Sequence, residues 1–119
     1  MQSKSIIVNK SYQFSLEIIK LYKELTDKKE YTLSKQLLRS GTYIGANANE
    51  AVSAMSKPDF VRCLNISLKE ARETSYWLHL LKDSDYITLN QFDPIHNQCI
   101  ELIKIRSSII LTSKKKVLK

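Results

Sequence analysis

Glycine is nearly missing from this chain. Its two copies, Gly41 and Gly45, stand in one short stretch, and proline also occurs only twice, at Pro58 and Pro94. Tight hairpins lean on glycine at positive φ and on turn dipeptides, so an all-β architecture is not expected. Long hydrophobic runs are missing as well. No stretch approaches the roughly 18 apolar residues of a membrane span, and Met1–Lys10 holds only the short apolar run Ile6–Val8, so neither a signal peptide nor a membrane segment is expected. The only cysteines, Cys63 and Cys99, each fall within an apolar-periodic pattern and are read as reduced core thiols of a cytoplasmic protein.

Catalytic signatures are equally scarce. The chain has no phosphate loop and no dinucleotide fingerprint. It also lacks the Glu-x-x-His pairs of a di-iron bundle. Glu70 and Glu73 are spaced i,i+3, but His79 lies too far on to complete such a pair. His96 and Cys99 are also i,i+3 and offer two ligands, too few for a metal unless Cys63 came close. No catalytic residue, metal site or cofactor is expected.

What the sequence does contain is helical periodicity. Ile7, Phe14, Ile18, Leu21 and Leu25 mark a helix over 5–28, ended by the polar "TDKKE". Leu33, Leu37, Ile44, Ala48 and Ala51 mark a second over 33–54, with Thr32 as its expected N-cap. "SKPD", Ser56–Asp59, reads as a capping box with proline in the first turn, opening a helix over 57–84. "TLNQ", Thr88–Gln91, opens a fourth over 89–113, with Pro94 near its start, where a missing N–H matters least. Four such helices on short links predict an all-α, up-down-up-down antiparallel four-helix bundle, a single domain over 1–119 with a basic tail at 114–119.

"GTYIGANANEA", Gly41–Ala51, then lies inside the second helix, where each glycine costs about 1 kcal/mol against alanine. Gly41, Gly45 and Ala48 form a strip of small side chains on one face. The strip admits another helix backbone at close range, either within the bundle or from another subunit. Beside it runs a polar seam, Gln36, Ser40, Tyr43, Asn47 and Glu50, matched on the third helix by Ser67, Glu70, Thr74 and Trp77 with Glu73 alongside. Such a seam must be hydrated, paired or docked, so Asn47 and Glu50 are expected to be hydrogen-bonded where covered. Gln36, Gly41, Tyr43, Gly45, Asn47, Glu50, Glu70 and Glu73 are the candidate subunit contacts of a homo-oligomer.

Over residues 10–105, "FSLEIIKLYKEL", "YTLSKQLLRSGTYIGANANEA" and "DFVRCLNISLKEARETSYWLHLLKDSDYI" together resemble the four-helix-bundle proteins encoded in intervening sequences of bacterial 23S rRNA genes. Leu33, Gln36, Leu37, Arg39, Ile44, Asn47 and Glu50 fall on the family's second-helix pattern. Phe60, Leu64, Ile66, Glu70, Glu73, Leu78, Tyr86 and Ile87 fall on the later ones. Ala51 and Asn49 depart from it, standing where the family has glycine and an apolar residue. The resemblance implies a ring-like homopentamer. It also implies kinship with the accessory protein of diversity-generating retroelements, which binds nucleic acid and a reverse transcriptase.

The formal charge of +7 favours anionic partners, RNA or DNA first. In the expected topology one end of the bundle gathers Lys4, Lys10, Lys57 and Arg62 with Lys114, Lys115, Lys116 and Lys119, against Glu50 and Asp59. The opposite end gathers Asp27, Glu30, Asp83, Asp85 and Asp93, with Lys28, Lys29 and Lys82. The basic end suits phosphate contacts without base readout, or it is a solvated tail. Two functions follow: an oligomeric nucleic-acid-associated protein, or an oligomeric adaptor between proteins.

Overall fold

A computed structural model describes the backbone of residues 2–118 and the side chains of residues 6–113. It contains α1 (Gln2–Asp27), α2 (Leu33–Val52), α3 (Lys57–Asp83) and α4 (Leu89–Leu118), with no strand among the described residues. Each helix packs on the next and α4 returns to α1, more sparsely, closing an antiparallel four-helix bundle. The result is a rod of 51 × 21 × 21 Å.

Without glycine at the helix ends, two other residues take the left-handed conformation. Lys29 (φ 66°) follows α1 and Asp85 (φ 67°) follows α3. Each sits where a Schellman motif needs it. Lys29 N–H reaches Thr26 O at 2.9 Å and Glu30 N–H reaches Leu25 O at 3.0 Å. Asp85 N–H reaches Lys82 O at 3.1 Å and Tyr86 N–H reaches Leu81 O at 2.9 Å.

The starts of the helices divide differently from the sequence reading. Thr88 and Gln91 form the full reciprocal box: Thr88 N–H to Gln91 Oε1 at 2.9 Å, Gln91 N–H to Thr88 Oγ1 at 3.2 Å. Ser56 caps α3 by accepting from Asp59 N–H at 3.3 Å, but the Asp59 carboxylate turns to Arg62 instead of back to Ser56. Thr32 does not cap α2 with its side chain. Glu30 takes that place: its carboxylate accepts the N–H groups of Thr32 (3.2 Å), Leu33 (2.9 Å) and Ser34 (2.7 Å). The Ser34 hydroxyl donates to the Glu30 carbonyl at 2.7 Å. A carboxylate is a stronger acceptor than a threonine hydroxyl and suits the positive end of a helix dipole. Glu30 is accordingly buried, and is not part of an acidic outer end.

The core has two apolar clusters. One runs from Phe14, Ile18 and Leu25 through Leu37, Ile44, Leu78 and Leu81 to Phe92, Cys99 and Leu102. The other, nearer the α2–α3 turn, holds Ile7, Ala48, Ala51, Cys63, Leu64, Leu68 and Ile110. The two cysteines lie in different clusters, both as buried free thiols. Between the clusters lies a polar layer, Ser11, Ser67 and Arg106, all fully buried.

The glycine strip packs on α1 of the same chain. A Cβ on Gly41 would lie 2.8 Å from both Cγ1 and Cγ2 of Ile18. One on Gly45 would lie 3.3 Å from Ser15 Oγ and 3.4 Å from the Ser11 carbonyl oxygen. The close approach is internal, so Gly41, buried beneath Ile18, is a packing position, not a subunit contact. Gly45 is only half-buried.

Candidate functional site

The α2–α3 seam is the most organised polar surface of the bundle. Arg39 on α2 reaches across to α3, lying 3.4 Å from Glu70 Oε1 and forming a close ion pair with Glu73. Trp77 Nε1–H donates to the same Glu73 carboxylate at 3.3 Å, and the Arg39 guanidinium lies 5.7 Å from the Tyr43 ring centre. Spacing produces this: Glu70, Glu73 and Trp77 are successive turns on one side of α3, opposite Arg39 and Tyr43 on α2. Burial pushes the Glu70 carboxyl up; Arg39 opposes this, and Glu73 adds to it. The covered carboxylate of the seam is therefore Glu70, paired as buried charges must be. Asn47 Nδ2–H donates to the Tyr43 carbonyl at 2.9 Å, while Gln36 and Glu50 stand exposed.

The expected basic end is described only in part. Lys4, Lys114, Lys115, Lys116 and Lys119 lie outside the described side chains. Of the rest, Lys57 is exposed, Lys10 pairs with Glu101 at 3.1 Å, and Arg62 pairs with Asp59 at 2.7 Å. Two of the three are thus met by acids of the same chain.

A polar centre that sequence reasoning missed lies inside the bundle. Arg106 on α4 is fully buried and faces no carboxylate among the described ion pairs. Its Nε donates to Ser67 Oγ on α3 at 2.5 Å, one terminal nitrogen to the Leu102 carbonyl at 3.2 Å, and the other to Ser11 Oγ on α1. Those hydroxyls pass their own protons to the Ile44 carbonyl at 2.7 Å and the Ile7 carbonyl at 2.5 Å. Burial lowers the Arg106 guanidinium to about 10, which still leaves it charged at neutral pH. One signal was present: Cys99, Leu102, Arg106 and Ile110 share the buried stripe of α4, with a cation standing where an aliphatic belongs.

Near the α3–α4 turn, His79, Phe92 and His96 cluster, with the two imidazoles edge-on at 4.6 Å and Phe92 stacked on His96 at 4.6 Å. Ser75 Oγ lies 2.9 Å from His96 Nε2. Burial lowers the His96 pKa, and His79 and Lys82 lower it further against Asp93. Cys99 turns away from His96, its thiol donating to the Ala71 carbonyl at 3.2 Å, and burial raises that thiol to about 12. Among the described residues no group of three or more His, Cys, Asp or Glu could hold a metal. No described helix is long and apolar enough to cross a membrane.

Fold and surface together define a small helical bundle with a polar hub in its core and an ion network along one seam. The chain belongs to the 23S rRNA-intervening sequence protein family, whose model matches residues 3–108. It is also similar to the crystal structure of a protein of unknown function from the S23 ribosomal protein family of Bacteroides thetaiotaomicron. The two share 50% identity and a TM-score of 0.86, over 87% of this chain and 97% of that one. No curated protein matches this chain. The family is of unknown function, and no enzymatic family is indicated.

Proposed function

We propose that this protein is a non-enzymatic, oligomeric scaffold that holds nucleic acid through phosphate contacts on a basic surface. The observation that carries this reading is where the charges stand. Of the described cations only Arg106 is buried, whereas the acids Glu30 and Glu70 are both withdrawn from solvent. Among the described residues the cations behind the formal +7 thus stand, Arg106 apart, at the surface or partly exposed. Such a surface gathers a polyanion by releasing its counterions, without reading bases. The family resemblance supplies the pentamer. Two buried free thiols suit a cytoplasmic setting.

The test is fluorescence anisotropy of labelled RNA and DNA against salt. Affinity is expected to fall steeply between about 50 and 200 mM. Neutralising Lys114, Lys115, Lys116 and Lys119 is expected to reduce the slope by about 0.9 for each duplex phosphate left without its cation. An absence of binding at low salt removes the nucleic-acid role and leaves the adaptor. One observation favours that second reading: Tyr12 (62% exposed) and Leu16 (45%) on α1 leave large apolar side chains open to a protein partner. A reverse transcriptase is the partner that the resemblance supplies.

A further inference from the structure

The outer face of α3 carries Arg62, Asn65, Lys69, Arg72 and Tyr76 at alternating steps of three and four residues, all exposed. They form one straight stripe along the rod. Arg62 is shared with Asp59, but Lys69 and Arg72 make none of the ion pairs among the described residues. The nearest acids along α3, Glu70 and Glu73, point to the other side and are held by Arg39. The stripe is thus cationic, compensated only at its first residue, where Asp59 and Glu50 act on Arg62. A shallow depression lined by Pro58, Val61, Arg62, Asn65, Ile66 and Lys69 opens along its first half. At the far end Tyr76 is 57% exposed, held edge-on by Trp77 with ring centres 5.1 Å apart.

We propose that this face of α3 binds single-stranded nucleic acid, with phosphates on Arg62, Lys69 and Arg72 and one base stacked on Tyr76. The inference rests on the nucleic-acid role above and gives it a surface and a strandedness. Arg62 to Tyr76 covers about 21 Å of helix, room for a few nucleotides. A supported, exposed aromatic ring at the end of a cationic track is what an unpaired base stacks on. Asn65, between the first two cations, adds a hydrogen-bonding group on the same line.

The experiment uses the full chain and anisotropy of labelled oligouridylate and oligothymidylate, with a duplex of equal length as the third probe. Wild type is expected to prefer the single strands. Lys69→Gln with Arg72→Gln is expected to lower the single-strand salt slope by about 1.4, at about 0.7 for each phosphate contact. Tyr76→Ala is expected to weaken single-strand binding roughly 5- to 150-fold, leaving slope and duplex binding unchanged. Circular dichroism confirms that these surface variants keep their helices. If wild type binds but both variants match it, the α3 site is refuted and the nucleic-acid role stands. If wild type binds none of the probes at low salt, both fall.

Discussion

Arg106 shows how differently a buried charge responds to losing a partner and to being replaced. Its hydrogen bonds end on hydroxyls and a carbonyl, so no counter-charge offsets its desolvation. Arg106→Met fills a similar volume, and Ser11 and Ser67 keep their own carbonyl acceptors. It is expected to leave stability unchanged or raise it by about 1–4 kcal/mol in chemical denaturation. Ser67→Ala keeps the cation and removes an acceptor, and is expected to cost about 1–3 kcal/mol. If both variants are destabilised alike, the hub contributes net stability and this account of it fails. Glu30 behaves in the opposite way. Burial pushes its carboxyl up, but the N–H groups of Leu33, Ser34 and Thr32 together outweigh that and lower it overall. A lowered folded pKa means stability fully present above the ordinary value of 4.5 and lost as pH falls through the folded value. Glu30→Gln is expected to cost about 1–2 kcal/mol near neutral pH, and the gap from wild type is expected to close in acid melts. His96, lowered by burial, favours its neutral form, so its contribution is complete above 6.5 and declines below it. His96→Phe is accordingly expected to melt with less change between about pH 7 and about pH 5 than wild type.

At the scale of elements, the two glycines separate propensity from packing. Alanine at either position gains about 1 kcal/mol of helix propensity. At Gly41 the new methyl meets two carbons of Ile18 at 2.8 Å, and overpacking of about 1–3 kcal/mol outweighs the gain. At Gly45 the nearest atoms are 3.3 and 3.4 Å away, which a small shift absorbs. Gly41→Ala is therefore expected to lower the melting temperature and Gly45→Ala to leave it level or raise it, both with unchanged oligomeric state by light scattering. Lys29 presents the reverse case. Glycine there removes the strain of a left-handed lysine, roughly 1 kcal/mol, so Lys29→Gly is expected to raise the melting temperature. The four helices were legible because each repeats its apolar residues over several turns, and Thr88–Gln91 announces its box by spacing alone. Glu30 was not legible: in "TDKKE" it looks like one more polar linker residue. Only the Schellman turn at Lys29 swings its carboxylate onto the next helix. The Arg39 network was half legible: Tyr43, Glu70, Glu73 and Trp77 lay on the polar seams, whereas Arg39 stood out only through the family pattern, and their mutual distances depended on how α2 and α3 meet.

For the whole molecule, elongation gives a direct check on assembly. A single chain has a Cα radius of gyration of 15.0 Å and a mass of 13.8 kDa. A pentamer is expected to show five times that mass in light scattering and a much larger radius in solution X-ray scattering. A radius near 15 Å at high protein concentration would rule it out. The polar layer at Arg106 has a bearing on how such a rod can move. Aliphatic seams tolerate sliding, because one leucine replaces another after each turn of about 5.4 Å. A cation does not: shifted by one turn, Arg106 would leave Ser11 and Ser67, the two hydroxyls that hold it. The layer acts as a detent that locks α4 axially against α1 and α3. A one-turn piston stroke of α4 breaks both hydrogen bonds, whereas rotation of the whole rod keeps them.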